Sequence, residues 1–208
     1  MSRFPTHPYD DIGAYASDYW GALAKAIATV PLDSLRQAAQ MLEEVVTQSG
    51  TIFVFGNGGS AAIADHLVCD CMKGARTGTH FAPRLHSLVG NTALLTAIAN
   101  DLSYDDIFAY QLQAMAKPGD MALAISSSGA SPNVVKALRW ASTHGLSTLA
   151  LTGFSGGDAA RIVDAGLYVE ADNYGLVEDA HQSIMHILAQ YLRQRHLVDR
   201  SDLMSLRF

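Results

Sequence analysis

Two segments of this 208-residue chain carry acidic and imidazole side chains at the spacing of one helical turn. His66 and Asp70 are four residues apart, so on a helix both side chains project from the same face. Near the C-terminus, Glu178, Gln182 and His186 follow the same spacing and form one polar stripe. Carboxylates and histidines exchange protons with substrates, and both bind divalent metal ions. These two helix faces are therefore the candidates for acid–base or metal chemistry.

A further histidine, His181, falls on the opposite side of the C-terminal helix. It shares the apolar face with Val177, Ile184, Leu188 and Tyr191. Five residues separate it from His186, so the two side chains diverge by about 140° on a helix with 3.6 residues per turn. We expect a structural role for His181, with a catalytic role as the alternative.

A glycine-rich loop, Gly56–Ala61, follows the apolar run Phe53–Phe55 and satisfies the dinucleotide pattern G-x-G-x-x-A. That use of the pattern also requires an acidic residue at the end of the second strand. The predicted second strand leads into Leu88-Val89-Gly90-Asn91, without an acid. The motif for a nucleotide P-loop is missing too, because no Gly-Lys-Ser/Thr follows. We therefore expect no nucleotide cofactor, and a sugar phosphate is the other ligand that such a loop can hold.

A second loop, Ser126–Ser131, contains Ser126, Ser127, Ser128 and Ser131 and lies between a predicted buried strand and a predicted helix. Backbone N–H groups at the start of a helix favour an anion, and serine hydroxyls add donors without adding charge. The cluster therefore predicts a phosphate-binding loop. The alternative is that serine and glycine only make turns and caps, with Ser131 as the N-cap of a helix that begins at Pro132.

Strands and helices alternate along the chain. The predicted strands are Thr51–Phe55, Leu85–Val89, Met121–Ile125, Thr148–Leu151 and Leu167–Val169. The predicted helices are two within residues 13–48, broken near Val30-Pro31, then Ser60–Lys73, Thr92–Asn100, one near Tyr104–Ala116, one from Pro132, Asp158–Val163 and residues 176–196. This order predicts parallel βαβ units and an α/β fold, a three-layer αβα sandwich. We expect one domain over residues 1–208, with an N-terminal helical arm (about 13–48) and an α/β core (about 50–196).

The composition limits the functions to consider. Hydrophobic residues make up 49% of the chain and charged residues 16%, which favours a homo-oligomer that covers apolar surface. A net charge of −6 argues against nucleic-acid binding through a basic surface. Cys69 and Cys71 would point to different faces of a helix, so we expect no disulfide between them. The N-terminal residues lack an apolar secretory segment, and no run is long enough to span a bilayer, so we expect a soluble, cytoplasmic protein without a membrane partner.

Several segments together resemble the SIS-domain (sugar isomerase) family, nearest to its phosphoheptose isomerase branch. They are GNGGSA at 56–61, AIANDLSYDDIF at 97–108, the loop 126–131 with Asn133, LALTG at 149–153 and HILAQ in the final helix. The resemblance covers about residues 35–195. It implies a five-stranded parallel sheet flanked by helices, a tetramer with active sites between subunits, and N-terminal helices in the oligomer core.

The resemblance also implies roles for individual residues. His66 matches a metal ligand, Asp70 matches a glutamate that is both base and ligand, Glu178 matches a glutamine that touches substrate and metal, and His186 matches the catalytic histidine. The matched substrate-binding positions are Asn57, Gly58, Gly59, Ser60, Asn100, Asp101, Ser126, Ser127, Ser128, Ser131 and Glu178. His66, Asp70, Glu178 and His186 would form a site with two histidines and two carboxylates, suited to Zn²⁺ or another divalent ion.

These residues depart from the family pattern at three positions. Asp70 is one methylene shorter than the family glutamate, Glu178 adds a negative charge, and Gly175 replaces a further acid. Structural alternatives also stay open. Asp70 and Glu178 could be solvated helix acids. His66 could be a buried histidine, and Asp101 could cap a turn.

The resemblance implies a phosphosugar isomerase that converts sedoheptulose 7-phosphate into D-glycero-D-manno-heptose 7-phosphate by acid–base catalysis, with a metal as a further expectation. The alternative is a non-catalytic SIS-domain protein that binds a phosphosugar or a partner protein such as a replication initiator. The family implies lipopolysaccharide heptose synthesis, and other heptose routes are equally compatible.

Overall fold

The computed structural model describes residues 3–201 and 203. The strands are β1 (Ile52–Gly56), β2 (Leu85–Ser87), β3 (Met121–Ser126), β4 (Ser147–Thr152) and β5 (Ala165–Tyr168). The α-helices are α1 (Ile12–Ile27), α2 (Leu32–Thr47), α3 (Gly59–Cys69), α4 (Thr92–Asp101), α5 (Ala109–Met115), α6 (Pro132–Thr143), α7 (Ala159–Ile162) and α8 (Tyr174–Arg195). A π-helical turn (Asp70–Ala75) continues α3, and a 3₁₀ turn (Tyr104–Asp106) precedes α5.

The five strands form one parallel sheet in the order β2-β1-β3-β4-β5, which confirms the predicted sheet. The central strands β1 and β3 are buried at every position. Continuous apolar runs of this kind are typical of parallel strands that are covered on both faces.

Alternate residues of the central strands enter two separate cores. Ile52 and Val54 face a core that α1, α2, α3 and α8 complete, whereas Phe53 and Phe55 face a core built with α4, α5 and α6. The sheet is therefore the middle layer of three, as predicted. The helices predicted as an N-terminal arm pack into the first of these cores, through residues such as Ala26 of α1 and Ala38 of α2.

Three predicted elements end differently in the structure. The helix predicted to run to Lys73 changes at Asp70 into the wider π-helical turn. The helix predicted near Tyr104–Ala116 is a 3₁₀ turn followed by the shorter α5. The edge strand β2 stops at Ser87, because the Ser87 hydroxyl accepts a hydrogen bond from the Val89 backbone (3.2 Å) and turns the chain.

Both cysteines are free thiols, as expected from their spacing. Cys69 is exposed and Cys71 is buried, and burial raises the pKa of the Cys71 thiol to about 12. Among residues 3–201 and 203, no helix combines the length and the apolar character needed to cross a membrane.

Candidate active site

A cleft of about 260 Å³ lies at the carboxyl ends of β1 and β3. In the strand order β2-β1-β3-β4-β5, these are the neighbouring strands from which the chain winds in opposite directions. Open α/β sheets bind their ligands at this switch point. The residues that line the cleft are Asn57, Gly58, Gly59, Ser60, Ser126, Ser127, Ser128, Ser131, Tyr174 and Glu178. We call it the serine cleft, and it joins the glycine loop and the serine loop that the sequence predicted to bind a phosphosugar.

The side chain of Asn57 is held in place from two sides. Its amide exchanges two hydrogen bonds with the buried Asn133 of α6, at 3.0 and 2.9 Å, and its Oδ1 accepts a third from the Tyr104 hydroxyl at 3.1 Å. The reciprocal amide pair ties the loop after β1 to the helix after β3. Asn57 therefore meets a ligand in the cleft in a fixed orientation.

Two glycines give the loop after β1 its shape. Gly58 adopts φ 55° and ψ −124°, a conformation that side chains strongly disfavour. A Cβ on Gly59 would lie 2.7 Å from the carboxyl carbon of Glu178. The first turn of α3 thus packs directly against the Glu178 side chain of α8.

The serine loop uses some hydroxyls for its own turns and leaves others available. The Ser126 hydroxyl accepts from Gly129 N (3.2 Å), and the Ser128 hydroxyl accepts from Ala130 N (3.2 Å). Ser131 occupies the N-cap position of α6, as predicted, but its side chain makes no capping bond. The buried Ser127 hydroxyl has no hydrogen-bond partner among the described residues. Buried polar groups are normally paired, so an unpaired hydroxyl in a cleft suggests a bound acceptor.

The turn after β4 packs against the serine loop. A Cβ on Gly129 would lie 2.6 Å from the Gly156 carbonyl carbon, and one on Gly157 would lie 2.7 Å from Ala130 N. Backbone hydrogen bonds from Gly153 N to Ser127 O and from Ala159 N to Gly129 O, both 2.9 Å, hold the two turns together. The loop is therefore fixed by contacts between backbones.

A second group of polar side chains lies between α3 with its π-helical turn and α8. The Asp70 Oδ2 atom is 2.9 Å from His186 Nδ1, and Asp70 Oδ1 is 3.5 Å from His66 Nε2. On the other side, Gln182 Nε2 is 2.9 Å from His66 Nδ1 and 3.0 Å from His186 Nε2. We call these four residues the histidine group. The structure thus joins the two helix faces that the sequence predicted, although 116 residues separate Asp70 from His186.

The shorter acid at position 70 reaches its predicted partner. Asp70 is the first residue of the π-helical turn, and such turns widen a helix and occur often at functional sites. Its carboxylate contacts both histidines, so the missing methylene does not separate it from His186.

The serine cleft and the histidine group lie along one helix–helix contact. Gly59 and Glu178 meet at the cleft, and Asp70 and His186 meet farther along the same two helices. Glu178 and His186 are eight residues apart, which corresponds to about 12 Å along an α-helix. The serine cleft and the histidine group are therefore neighbouring regions of one helix pair.

Three of the four predicted metal ligands come together. Single donor atoms of His66, Asp70 and His186 lie within 4.8 Å of one another. Imidazole nitrogens with a carboxylate oxygen suit Zn²⁺ and leave room for a further ligand, so the chemistry of this donor set fits a catalytic metal. Among the described residues, Glu178 is not part of this group, because its carboxylate lies against Gly59 in the serine cleft.

The charge of Glu178 is the main electrostatic feature of the serine cleft. Partial burial raises the pKa of its carboxyl group, and the neighbouring Asp179 raises it further. Asp179 itself accepts a hydrogen bond from the Tyr19 hydroxyl of α1 at 2.6 Å.

His181 is fully buried and separate from the histidine group. Burial lowers its pKa to about 4, and a contact with the Thr152 backbone offsets only part of that shift. Within the described part of the chain, neither ring nitrogen makes a hydrogen bond of good geometry. The position supports the expected structural role and leaves His181 neutral at pH 7.

Two predicted substrate-binding residues lie outside the cleft. Asn100 and Asp101 end α4, are exposed, bond to each other (2.7 Å) and do not line the serine cleft. The sequence-based site also missed Gln182 and Tyr174. Gln182 was visible in the polar stripe between Glu178 and His186, whereas nothing in the local sequence marks Tyr174 as a cleft residue.

Comparison with known proteins agrees with this geometry. The SIS domain matches residues 15–153. The chain belongs to the SIS-domain family. Within this family it belongs to the phosphoheptose isomerase branch, as the following relatives show. A probable phosphoheptose isomerase of Thermoplasma volcanium is 38% identical over 176 residues, which cover 85% of this chain and 89% of the relative. The phosphoheptose isomerase of Geotalea daltonii is 38% identical, with 77% and 83% covered.

Solved structures show the same SIS-domain architecture. The phosphoheptose isomerase of Neisseria gonorrhoeae superimposes with a TM-score of 0.80 at 27% identity, covering 88% of this chain and 98% of that protein. The enzyme of Francisella tularensis gives 0.78 at 29% identity, with 89% and 97% covered. The fold of this chain is therefore that of the phosphoheptose isomerases over nearly their whole length.

Proposed function

We propose that this protein is a phosphosugar isomerase that interconverts sedoheptulose 7-phosphate and D-glycero-D-manno-heptose 7-phosphate. The observation that carries the proposal is the 2.9 Å contact between Asp70 and His186, on the same helix pair that borders the serine cleft. The relatives named phosphoheptose isomerases support the substrate class.

The serine cleft binds the phosphate in this proposal. The unpartnered Ser127 hydroxyl, the uncapped Ser131 hydroxyl and the N-termini of α3 and α6 supply donors without a cationic side chain. Asn57 and Ser60 hold hydroxyl groups of the sugar beside the phosphate. The Glu178 carboxylate accepts a hydrogen bond from a sugar hydroxyl, since it would repel the phosphate itself.

Asp70 and His186 move the protons. Asp70 takes a proton from C1 of the ketose while the C2 carbonyl oxygen gains one, and a 1,2-enediol forms. A proton then returns to C2 as the O1 hydroxyl loses its own, which leaves the aldehyde. His186 exchanges the protons of the two oxygens, and its hydrogen bond to Asp70 orients both groups.

A divalent ion fits the same group. His66, Asp70 and His186 would hold it, with Zn²⁺ as the first choice. Such an ion supplies a positive charge that stabilises the oxygens of an enediol.

We also propose that the enzyme is a cytoplasmic homotetramer with active sites between subunits. Large apolar side chains of α1 and α2 are exposed, among them Ile12, Trp20 and Leu32. The groove between α2 and α8, of about 370 Å³, is also largely apolar and borders Ile187 and Tyr191. Light scattering after size-exclusion chromatography tests the assembly, and a monomer at micromolar concentration would contradict it.

The activity is tested by incubating the purified protein with sedoheptulose 7-phosphate and measuring the aldose product, with and without added Zn²⁺. Fructose 6-phosphate and ribulose 5-phosphate serve as comparison substrates. Turnover that Asp70→Asn and His186→Ala abolish supports the proposal. Absence of turnover under all conditions, with binding of the sugar phosphate retained, would instead favour a non-catalytic SIS-domain protein, which the comparisons do not favour.

A further inference from the structure

Gln182 occupies the centre of the histidine group, one helical turn from both Glu178 and His186. Its amide nitrogen contacts His66 Nδ1 at 2.9 Å and His186 Nε2 at 3.0 Å. The opposite nitrogens of the two rings, His66 Nε2 and His186 Nδ1, face the Asp70 carboxylate. Every polar atom of both imidazoles therefore has a neighbour within the group.

With the Gln182 amide nitrogen facing both rings, these contacts assign one proton position to each ring. An amide nitrogen has two N–H groups and no acceptor, so both ring nitrogens that it contacts must accept. Each neutral imidazole carries its single proton on the other nitrogen, which here faces Asp70. The carboxylate accepts from both rings. In this arrangement all donors and acceptors are matched with both histidines neutral.

A divalent cation held by Asp70 and both rings would require the reverse arrangement. If the ring nitrogens that face Asp70 bind the cation through their lone pairs, the protons must lie on His66 Nδ1 and His186 Nε2. Ligand histidines normally donate this second N–H to an oxygen acceptor, which fixes the ring and raises its basicity. Rotating the Gln182 amide by half a turn exchanges its nitrogen and oxygen and presents that acceptor to both rings.

We propose that Gln182 is a positioning residue that sets the tautomers of His66 and His186 and reverses its amide when a divalent cation binds, and so determines the metal affinity of the site. The inference rests on the metal-assisted form of the proposed function.

The first test measures Zn²⁺ affinity by competition with a chromophoric chelator, using the folded metal-free protein. Gln182→Leu keeps the size of the side chain but removes the acceptor, and it should weaken Zn²⁺ binding by about 10- to 100-fold. Gln182→Glu keeps an acceptor and should bind Zn²⁺ at least as tightly as the wild type. Ser183→Ala, on the same helix and outside both the serine cleft and the histidine group, is the control and should leave the affinity within about threefold.

The second test reads the tautomers directly through ¹⁵N NMR of the imidazole rings. The metal-free wild type should show the proton of His66 on Nε2 and that of His186 on Nδ1. Added Zn²⁺ should move both protons to the opposite nitrogens. Gln182→Leu should lose the single-tautomer signals even where its thermal melting matches that of the wild type, which a role in packing alone would not explain.

Four results would overturn the inference. They are a folded Gln182→Leu variant with unchanged Zn²⁺ affinity, an equal loss of affinity in Gln182→Leu and Gln182→Glu, metal-free tautomers opposite to those stated, and a wild type that binds no Zn²⁺. Isomerase turnover in a protein that binds no Zn²⁺ would leave the proposed function intact and refute only the role of Gln182 in metal binding.

Discussion

The serine cleft and the histidine group lie on the same pair of helices, yet they consist of different chemical groups. The cleft consists of turns, backbone N–H groups and hydroxyls, and among the described residues that line it Glu178 and Tyr174 carry the ionisable side chains. The histidine group consists of ionisable side chains and one amide that bond to one another.

The two regions are therefore suited to different steps, one to binding and the other to proton transfer. The hydroxyls and helix N-termini of the cleft can hold an anion, whereas its carboxylate, Glu178, packs against Gly59. The histidine group holds an acid–base pair but no cluster of anion donors. If the proposed function is correct, changes in the histidine group should reduce kcat, and changes in the cleft should mainly raise KM.

The largest effect is expected from Asp70→Asn, which keeps the size of the side chain and removes its basicity. We expect kcat to fall by about 10²- to 10⁴-fold with KM within about threefold, because one general base contributes about that much. Steady-state kinetics measure both values. Asp65→Asn on the same helix is the control, since Asp65 bonds Ser87 and lies outside both sites. A variant that retained a tenth of the wild-type kcat would remove Asp70 from the chemistry.

Gly59→Ala should disturb the helix–helix contact that both regions share, because its Cβ would displace the Glu178 side chain. Overpacking typically costs 1–3 kcal/mol of folding stability, so we expect the free energy of unfolding, measured by urea denaturation, to fall by about that amount and kcat/KM to fall with it. Gly166→Ala is the matched control, since its Cβ would meet nothing closer than 4.0 Å. Adding Glu178→Ala to Gly59→Ala should relieve the overlap, and a double variant no better folded than the single one would contradict this account.

Removing single hydroxyls from the cleft should affect KM alone. Ser127→Ala and Ser131→Ala should each raise KM about tenfold, the value of one hydrogen bond to a charged group. Ser127→Ala should not lower the melting temperature, because its hydroxyl has no partner among the described residues. Ser147→Ala, at the opposite end of the sheet, is the control. An unchanged KM in both cleft variants would argue that the phosphate binds elsewhere.

The smallest effect concerns the charge of Glu178. Because the folded state raises the pKa of this carboxyl group, its protonated form stabilises the fold, and that stability is lost as the pH rises through the raised pKa. Glu178→Gln should therefore raise the melting temperature at pH 7 by less than about 2 °C, since solvent screens the group. The gain should shrink as the pH falls through the raised pKa and should be absent below the ordinary carboxyl pKa. Calorimetry between pH 4 and 8 measures it, and a gain that grew toward acid would show the opposite sign of shift.

The sequence predicted the cleft better than the histidine group for a physical reason. The glycine and serine loops each follow a buried strand, and parallel strands bring their carboxyl ends to one edge of the sheet. Their meeting therefore follows from local patterns and topology alone, as the positions of Asn57, Ser60 and Ser127 show.

The details of the histidine group depend on how two helices pack, which local spacing does not determine. The stripe of Glu178, Gln182 and His186 was visible, but helical spacing alone does not show which member would face His66. Packing placed Gln182 there and left Glu178 in the cleft. Likewise, the π-helical turn at Asp70 has no signature in a helical pattern that continues to Lys73.

The backbone contact between Gly129 and the turn at Gly156 and Gly157 has a consequence for redesigning selectivity. Since neither turn tolerates a side chain at Gly129 or Gly157, the serine loop offers little freedom to an engineer who wants a different sugar. Variation should be directed instead at Tyr174, which lines the cleft and is 61% exposed. A library of substitutions at Tyr174 would change which sugar is preferred while the serine loop stays constant.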